Sequence, residues 1–137
     1  MPAPTRLQVR GASRLALALF FAAAGINHFR VPAIYIAMIP PWLPRPEDLN
    51  RIAGLCEILG AAGVLVRATR AAAGWGLIAL LVAVFPANLH VALAGRMPGM
   101  DAPPWVLWLR LPLQAVLVAW VAWSAISGER TDPPPGR

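Results

Sequence analysis

Residues 71–94 read AAAGWGLIALLVAVFPANLHVALA, an apolar run with no Asp, Glu, Lys or Arg. About 20 such residues, each rising about 1.5 Å, cross a hydrocarbon core of about 30 Å. The run reads as a transmembrane helix. Further apolar segments lie on either side of it, at about 15–29, 52–66 and 105–126. The first reaches spanning length through Leu7 and Val9 if its arginines snorkel, and the second if it starts near Leu49. Helices are therefore expected at about 7–29, 49–66, 71–94 and 105–127. Period-two alternation is absent, which disfavours a barrel. The fold class is an all-α membrane protein: a four-transmembrane-helix bundle forming a single domain over 1–137.

Composition agrees. Hydrophobic residues make up 58% of the chain and charged residues 13%, about half the charged share of a soluble domain. The net charge of +6 is carried by arginine alone and is spread between the apolar runs. A nucleic-acid binder gathers such charge into a stripe interleaved with aromatics, so nucleic acid is not an expected partner. The single cysteine, Cys56, lies within an apolar run and reads as a small packing residue. The segment holding Arg6, Arg10 and Arg14 ahead of an apolar stretch resembles a secretory signal, but an uncleaved first helix is the expectation.

Arginine placement sets the orientation. Seven arginines fall in the N-terminal segment, the turn holding Arg67 and Arg70, and the tail with Arg130 and Arg137, against four (Arg30, Arg45, Arg51, Arg96) in the opposite loops. The positive-inside rule then places both termini in the cytoplasm, in a plasma (inner) membrane. The six tryptophans fit two interfacial belts, Trp42, Trp105 and Trp108 outside and Trp75, Trp120 and Trp123 inside. The first outer loop contains Pro32, Pro40, Pro41, Pro44 and Pro46, which block a long helix. Residues 33–39 between them suit a short helix lying in the interface. The proline-rich tail 131–137 is expected to be disordered. A weak repeat at an offset of 62 to 63 residues sets His28 on His90 and Pro40-Pro41-Trp42-Leu43 on Pro103-Pro104-Trp105-Val106, a parallel-repeat pattern.

The polar residues within the apolar segments carry the functional information: Asn27, His28, Glu57, Asn88, His90, Arg110 and Gln114. From the helical rise, Glu57 lies roughly 8 to 12 Å below the outer helix end, Arg110 about 7 Å and Gln114 about 13 Å. Arg110 and Gln114 are four apart and share one side of their helix. Ala53, Gly54, Gly60 and Ala61 give Glu57 a smooth face that admits a neighbouring helix. Asn88 and His90 lie about 200° apart around a regular helix, and Asn88 is the better interior candidate. A carboxylate at this depth must be paired, hydrated or protonated, and Arg110 is its expected partner. Pocket candidates are thus His28, Glu57, Asn88, His90, Arg110 and Gln114, with Tyr35, Met38 and Trp42 as a lid. No pair of histidines has the i, i+4 spacing of a ligand motif, so no metal is expected. Neither a nucleophile beside a histidine nor a glycine-rich phosphate loop is present.

The stretches GINHF (25–29), VPAIYIAMIPPWLP (31–44), GLCEILGAAGVLV (54–66), FPANLH (85–90) and WLRLPLQ (108–114) together resemble the DoxX family of small four-helix membrane proteins. The resemblance covers residues 14–127. It implies a four-helix fold and, more loosely, a membrane oxidoreductase subunit that delivers electrons to quinones, so the main reading is a redox-linked subunit whose outward-facing polar pocket binds a quinone-like molecule. No haem ligand pair or iron–sulfur cysteine set is present, so electrons would come from a redox partner protein. The alternative is a non-enzymatic assembly or scaffold protein, in contact with the bilayer and a partner or a second copy, whose polar cluster is structural.

The topology is testable by reporter fusion. Fusions after Arg70 and at the C-terminus are expected to report the cytoplasm, and a fusion near Gly99 the outside; reversal at any two sites contradicts the arginine assignment.

Overall fold

The computed structural model describes residues 5–127 and is entirely helical apart from its connections. Helix α1 is Arg6–Arg30. It opens with a capping box in which the Gln8 amide donates to Thr5 Oγ1 and the Thr5 amide donates to Gln8 Oε1. It stops where Val31 precedes Pro32, a position that disfavours the helical backbone. Pro32 starts the short helix α2, Pro32–Met38, and the Pro40-Pro41 pair lies just beyond its end. Helix α3, Pro46–Leu65, has Glu47 and Asp48 in its first turn, where the helix dipole favours acids. Helix α4, Arg70–Ala94, ends on Gly95 at φ 64°, a left-handed C-terminal residue that glycine adopts without strain. Helix α5, Pro104–Val121, continues into a π-helical turn, Ala122–Ile126. The expected disorder at 131–137 lies outside the described residues.

Helix α3 packs along both α1 and α4; α4 in turn packs on α5 and the π-turn, and α2 rests on α3. One apolar core (Leu17, Phe21, Val64, Leu77, Leu81, Val121) fills the end of the bundle nearer the π-turn. A second (Met38, Val91, Leu107) lies beneath α2. The outer faces are as apolar as the cores: Leu19, Leu59, Val82, Leu93 and Val116 are all more than 60% exposed. Continuous apolar exposure of this kind needs lipid around it. Among the described residues, three helices are long and apolar enough to cross a membrane: α1, α4, and α5 with its π-turn. Helix α3 spans 20 residues but carries Glu47, Asp48, Arg51 and Glu57, so length and composition alone do not place it with them.

Helices in lipid gain no hydrophobic drive from association and rely on close packing of small residues. Here glycines sit at the α1–α3, α3–α4 and α4–π-turn contacts. A Cβ at Gly25 would lie 2.7 Å from Gly54 O and 3.0 Å from Glu57 Cβ, and one at Gly54 would lie 2.7 Å from His28 Cβ and 3.0 Å from Gly25 O. The two backbones are in contact, and only glycine fits at either position. Gly60 meets Leu77 between α3 and α4, and Gly74 meets Ala125 between α4 and the π-turn.

Alanine exceeds glycine in helix propensity by about 1 kcal/mol, so a glycine-to-alanine change in open space raises stability. Gly76, with nothing within 4 Å, is such a site. Overpacking costs about 1 to 3 kcal/mol. Thermal unfolding in detergent is therefore expected to show Gly25→Ala and Gly54→Ala melting below the parent and Gly76→Ala at or above it. Equal responses at the three sites would contradict the α1–α3 backbone contact.

Candidate functional site

Asn50 and Glu57 are seven residues apart, two turns along α3, and face α1 together with Gly54. Because Gly25 and Gly54 let the helices touch, the last turn of α1 brings His28 against both polar side chains. Asn50 holds His28 with both ends of its amide. His28 Nδ1 is 2.7 Å from Asn50 Oδ1, and Asn50 Nδ2 donates to the His28 carbonyl at 2.9 Å. On the far side of the ring, His28 Nε2 lies 3.6 Å from Glu57 Oε2. That carboxylate oxygen is buried and has no hydrogen-bond partner. The Tyr35 ring from α2 covers the imidazole, centroid to centroid 3.9 Å and inclined by 30°.

A second cluster joins α4, α5 and the loop between them. Arg110 donates through Nη2 to Asn88 Oδ1 at 3.2 Å and through Nη1 to Met97 Sδ at 3.0 Å. Asn88 Nδ2 donates to Gln114 Oε1 at 3.0 Å, and Gln114 Nε2 donates to the Leu81 carbonyl. Arg110 and Gln114 thus act from one side of α5, as their spacing requires.

The expected Glu57–Arg110 pair does not form. Glu57 faces His28, and Arg110 serves Asn88 and Met97. Similar depth does not fix direction around a helix axis: α3 presents Glu57 to α1, whereas Arg110 lies on the face of α5 that meets α4. Tyr35 is coupled electrostatically to both charges. Burial pushes its hydroxyl above the usual 10 and the Glu57 carboxylate adds to this, while the Arg110 guanidinium and a hydrogen bond with the Asn27 side chain oppose it.

The remaining candidates are scattered. His90 lines a separate cleft of about 420 Å³ with Ala37, Val91, Ala94, Arg96, Met97 and Pro98. Met38 lies in the apolar cluster with Val91 and Leu107, and Trp42 is 70% exposed. Of the three lid residues, only Tyr35 covers a polar group of the cluster. Among the described residues, no group of three or more His, Cys, Asp or Glu side chains converges on a point. Sequence reasoning missed Asn50, whose signal was the seven-residue spacing to Glu57, and Met97, for which spacing gave no signal. It also missed a clasp at the opposite end of the bundle, where Ser13 Oγ lies 2.7 Å from Ser124 Oγ, Trp120 Nε1 donates to Ser13 at 2.8 Å and Arg14 donates to the Ser124 carbonyl at 2.9 Å.

Tyr35 is the only tyrosine in the chain, so phenolate absorbance reports it alone. Its titration midpoint is expected above 10, lower in Glu57→Gln and higher still in Arg110→Gln, following the signs of the two neighbours. A phenol whose folded value is raised contributes stability that is complete below the unfolded value near 10 and is lost as pH rises through the folded value. A midpoint insensitive to both substitutions would contradict the coupling of Tyr35 to them.

No curated protein and no solved structure matches the chain. One family model does, described as "Domain of unknown function (DUF8561)", over residues 17–125. That match takes in both polar clusters, their glycine contacts and the cleft at His90, and the chain belongs to this family.

Proposed function

We propose that this protein is a non-catalytic membrane assembly subunit in which buried polar side chains fix the register of the helices. The supporting observation is that these side chains are taken up by one another across helix boundaries. Asn50 uses both ends on His28; Asn88 uses both ends on Arg110 and Gln114; Gln114 uses its own on Asn88 and Leu81. In this reading α3 is the fourth span, because His28 compensates Glu57 and the remaining charges of α3 lie in its first two turns, at the interface. Helix α2 then lies in the outer interface, both termini are cytoplasmic, and the apolar outer faces meet plasma-membrane lipid and a partner subunit or second copy.

The DoxX resemblance supports a second reading, an outward-facing pocket for a quinone-like ring. The unpartnered Glu57 Oε2 favours it. The donors that a ring carbonyl requires do not: Arg110, Asn88 and Gln114 already donate within the protein. A quinone carbonyl would compete with these bonds or use the N–H groups they leave over.

Two measurements separate the readings. Titration of the purified protein with a short-chain quinone, followed by tryptophan fluorescence, is expected to give no saturable quenching. Asn88→Ala, which strands Arg110 and Gln114 together, is expected to lower stability in detergent by about 1 to 2 kcal/mol. Saturable quenching that Arg110→Gln abolishes would favour the quinone reading over the assembly reading.

A further inference from the structure

The two-handed grip of Asn50 on His28 determines where the protons of the imidazole lie. A backbone carbonyl only accepts, so the atom of Asn50 facing the His28 carbonyl at 2.9 Å is the amide nitrogen. The other end, 2.7 Å from His28 Nδ1, is then the carbonyl oxygen, which also only accepts. Nδ1 must carry a hydrogen. In a neutral imidazole the second nitrogen, Nε2, is left as an acceptor, and it faces Glu57 Oε2 at 3.6 Å. Oε2 is itself buried and unpartnered. If Glu57 is ionised and His28 neutral, two lone pairs face each other inside the bundle and a carboxylate is left without a donor. If both are fully protonated, two donors face each other and a buried cation results. One proton on either atom sets a donor opposite an acceptor and leaves the pair without net charge.

We propose that His28 and Glu57 form a proton-binding site that holds one proton for the pair, on Nε2 or on Oε2, with Asn50 as the residue that positions it. Once the two atoms close from 3.6 Å to hydrogen-bond distance, the proton moves within the pair by breaking the O–H bond of a carboxylic acid and forming an N–H bond, which converts acid and imidazole into carboxylate and imidazolium. Net charge is zero on both sides of that transfer. Release of the proton leaves an anion, and its surroundings define what that anion meets. Helix α2 supplies Tyr35, stacked on His28 and coupled electrostatically to Glu57, and α5 supplies Arg110, which acts on Tyr35 with the opposite sign. Helix α1 supplies Asn27, hydrogen-bonded to Tyr35. On α3 the nearest other ions, Asp48 and Arg51, pair with each other at 3.4 Å, and His90 of α4 lines its own cleft. This inference does not depend on the assembly reading, since a neutral pair serves a structural bundle and a proton carrier equally.

The chain has two histidines, so histidine-selective ¹⁵N labelling of the full-length protein in lipid nanodiscs gives two sets of imidazole signals, and His90→Gln leaves that of His28. Near pH 7, the expected spectrum has Nδ1 protonated, with the second proton on Nε2 opposite a carboxylate or on Glu57 opposite a bare Nε2, the latter read from the ¹³C shift of the glutamate carboxyl. Glu57→Gln, whose amide donates to Nε2 as a protonated carboxyl does, is expected to keep the proton on Nδ1 and leave Nε2 bare. Asn50→Leu, which removes the acceptor, is expected to release the constraint and show the Nε2–H form. A parent spectrum with Nδ1 bare, or with a neutral imidazole opposite an ionised Glu57, would overturn the proposal. Because that reading is made on the parent side chains of the site, it stands even if a variant fails to fold.

Discussion

The contact of Gly25 with the Gly54 carbonyl is the feature on which the rest of this bundle depends. In lipid, a helix pair that cannot approach closely gains little from associating, because the acyl chains contact its side chains equally well. At Gly25 and Gly54 the two backbones meet, with no room for a Cβ on either side. The last turn of α1 is thereby carried down onto the face of α3 that bears Asn50 and Glu57. A polar group placed there without a partner would destabilise the bundle; with His28 in reach, the same groups tie α1 to α3 in a fixed register.

The two polar clusters solve one problem by different chemistry. Between α4 and α5, neutral amides chain together and end on a backbone carbonyl, and Arg110 reaches a thioether because the loop after α4 brings Met97 to it. Between α1 and α3, one amide fixes an imidazole and leaves an acid facing it. Tyr35 is the element common to both, since it is coupled electrostatically to Glu57 and to Arg110. The short helix α2 therefore does more than close the end of the bundle: it carries the only phenol of the chain, which feels both opposite charges.

Much of this follows from spacing alone, and the exceptions have a common cause. The apolar runs, the prolines that interrupt them and the i, i+4 pair Arg110 and Gln114 are local signals, and the small residues around Glu57 mark a face that another helix approaches. All four of those residues, Ala53, Gly54, Gly60 and Ala61, are buried. Which helix takes that face is not a local property. Depth suggested α5 as the partner of Glu57, but the glycine contact selects α1. Asn50 was overlooked because it lies near the start of α3, where a polar residue ordinarily meets water. The π-turn at 122–126 and the serine clasp it supports left no periodic mark, because their partners are more than 100 residues away in sequence.

The coupling of α1 to α3 through His28 and Asn50 can be measured directly by a double-mutant cycle of His28→Ala and Asn50→Ala, read as unfolding free energy in mixed micelles. Residues joined in a buried polar network show coupling of about 0.5 to 3 kcal/mol, with values near 1 kcal/mol typical between helices in membranes. The structure predicts a favourable coupling of about 1 kcal/mol. Additivity within about 0.3 kcal/mol would contradict it, because the two side chains would then not share the contact that holds the site together.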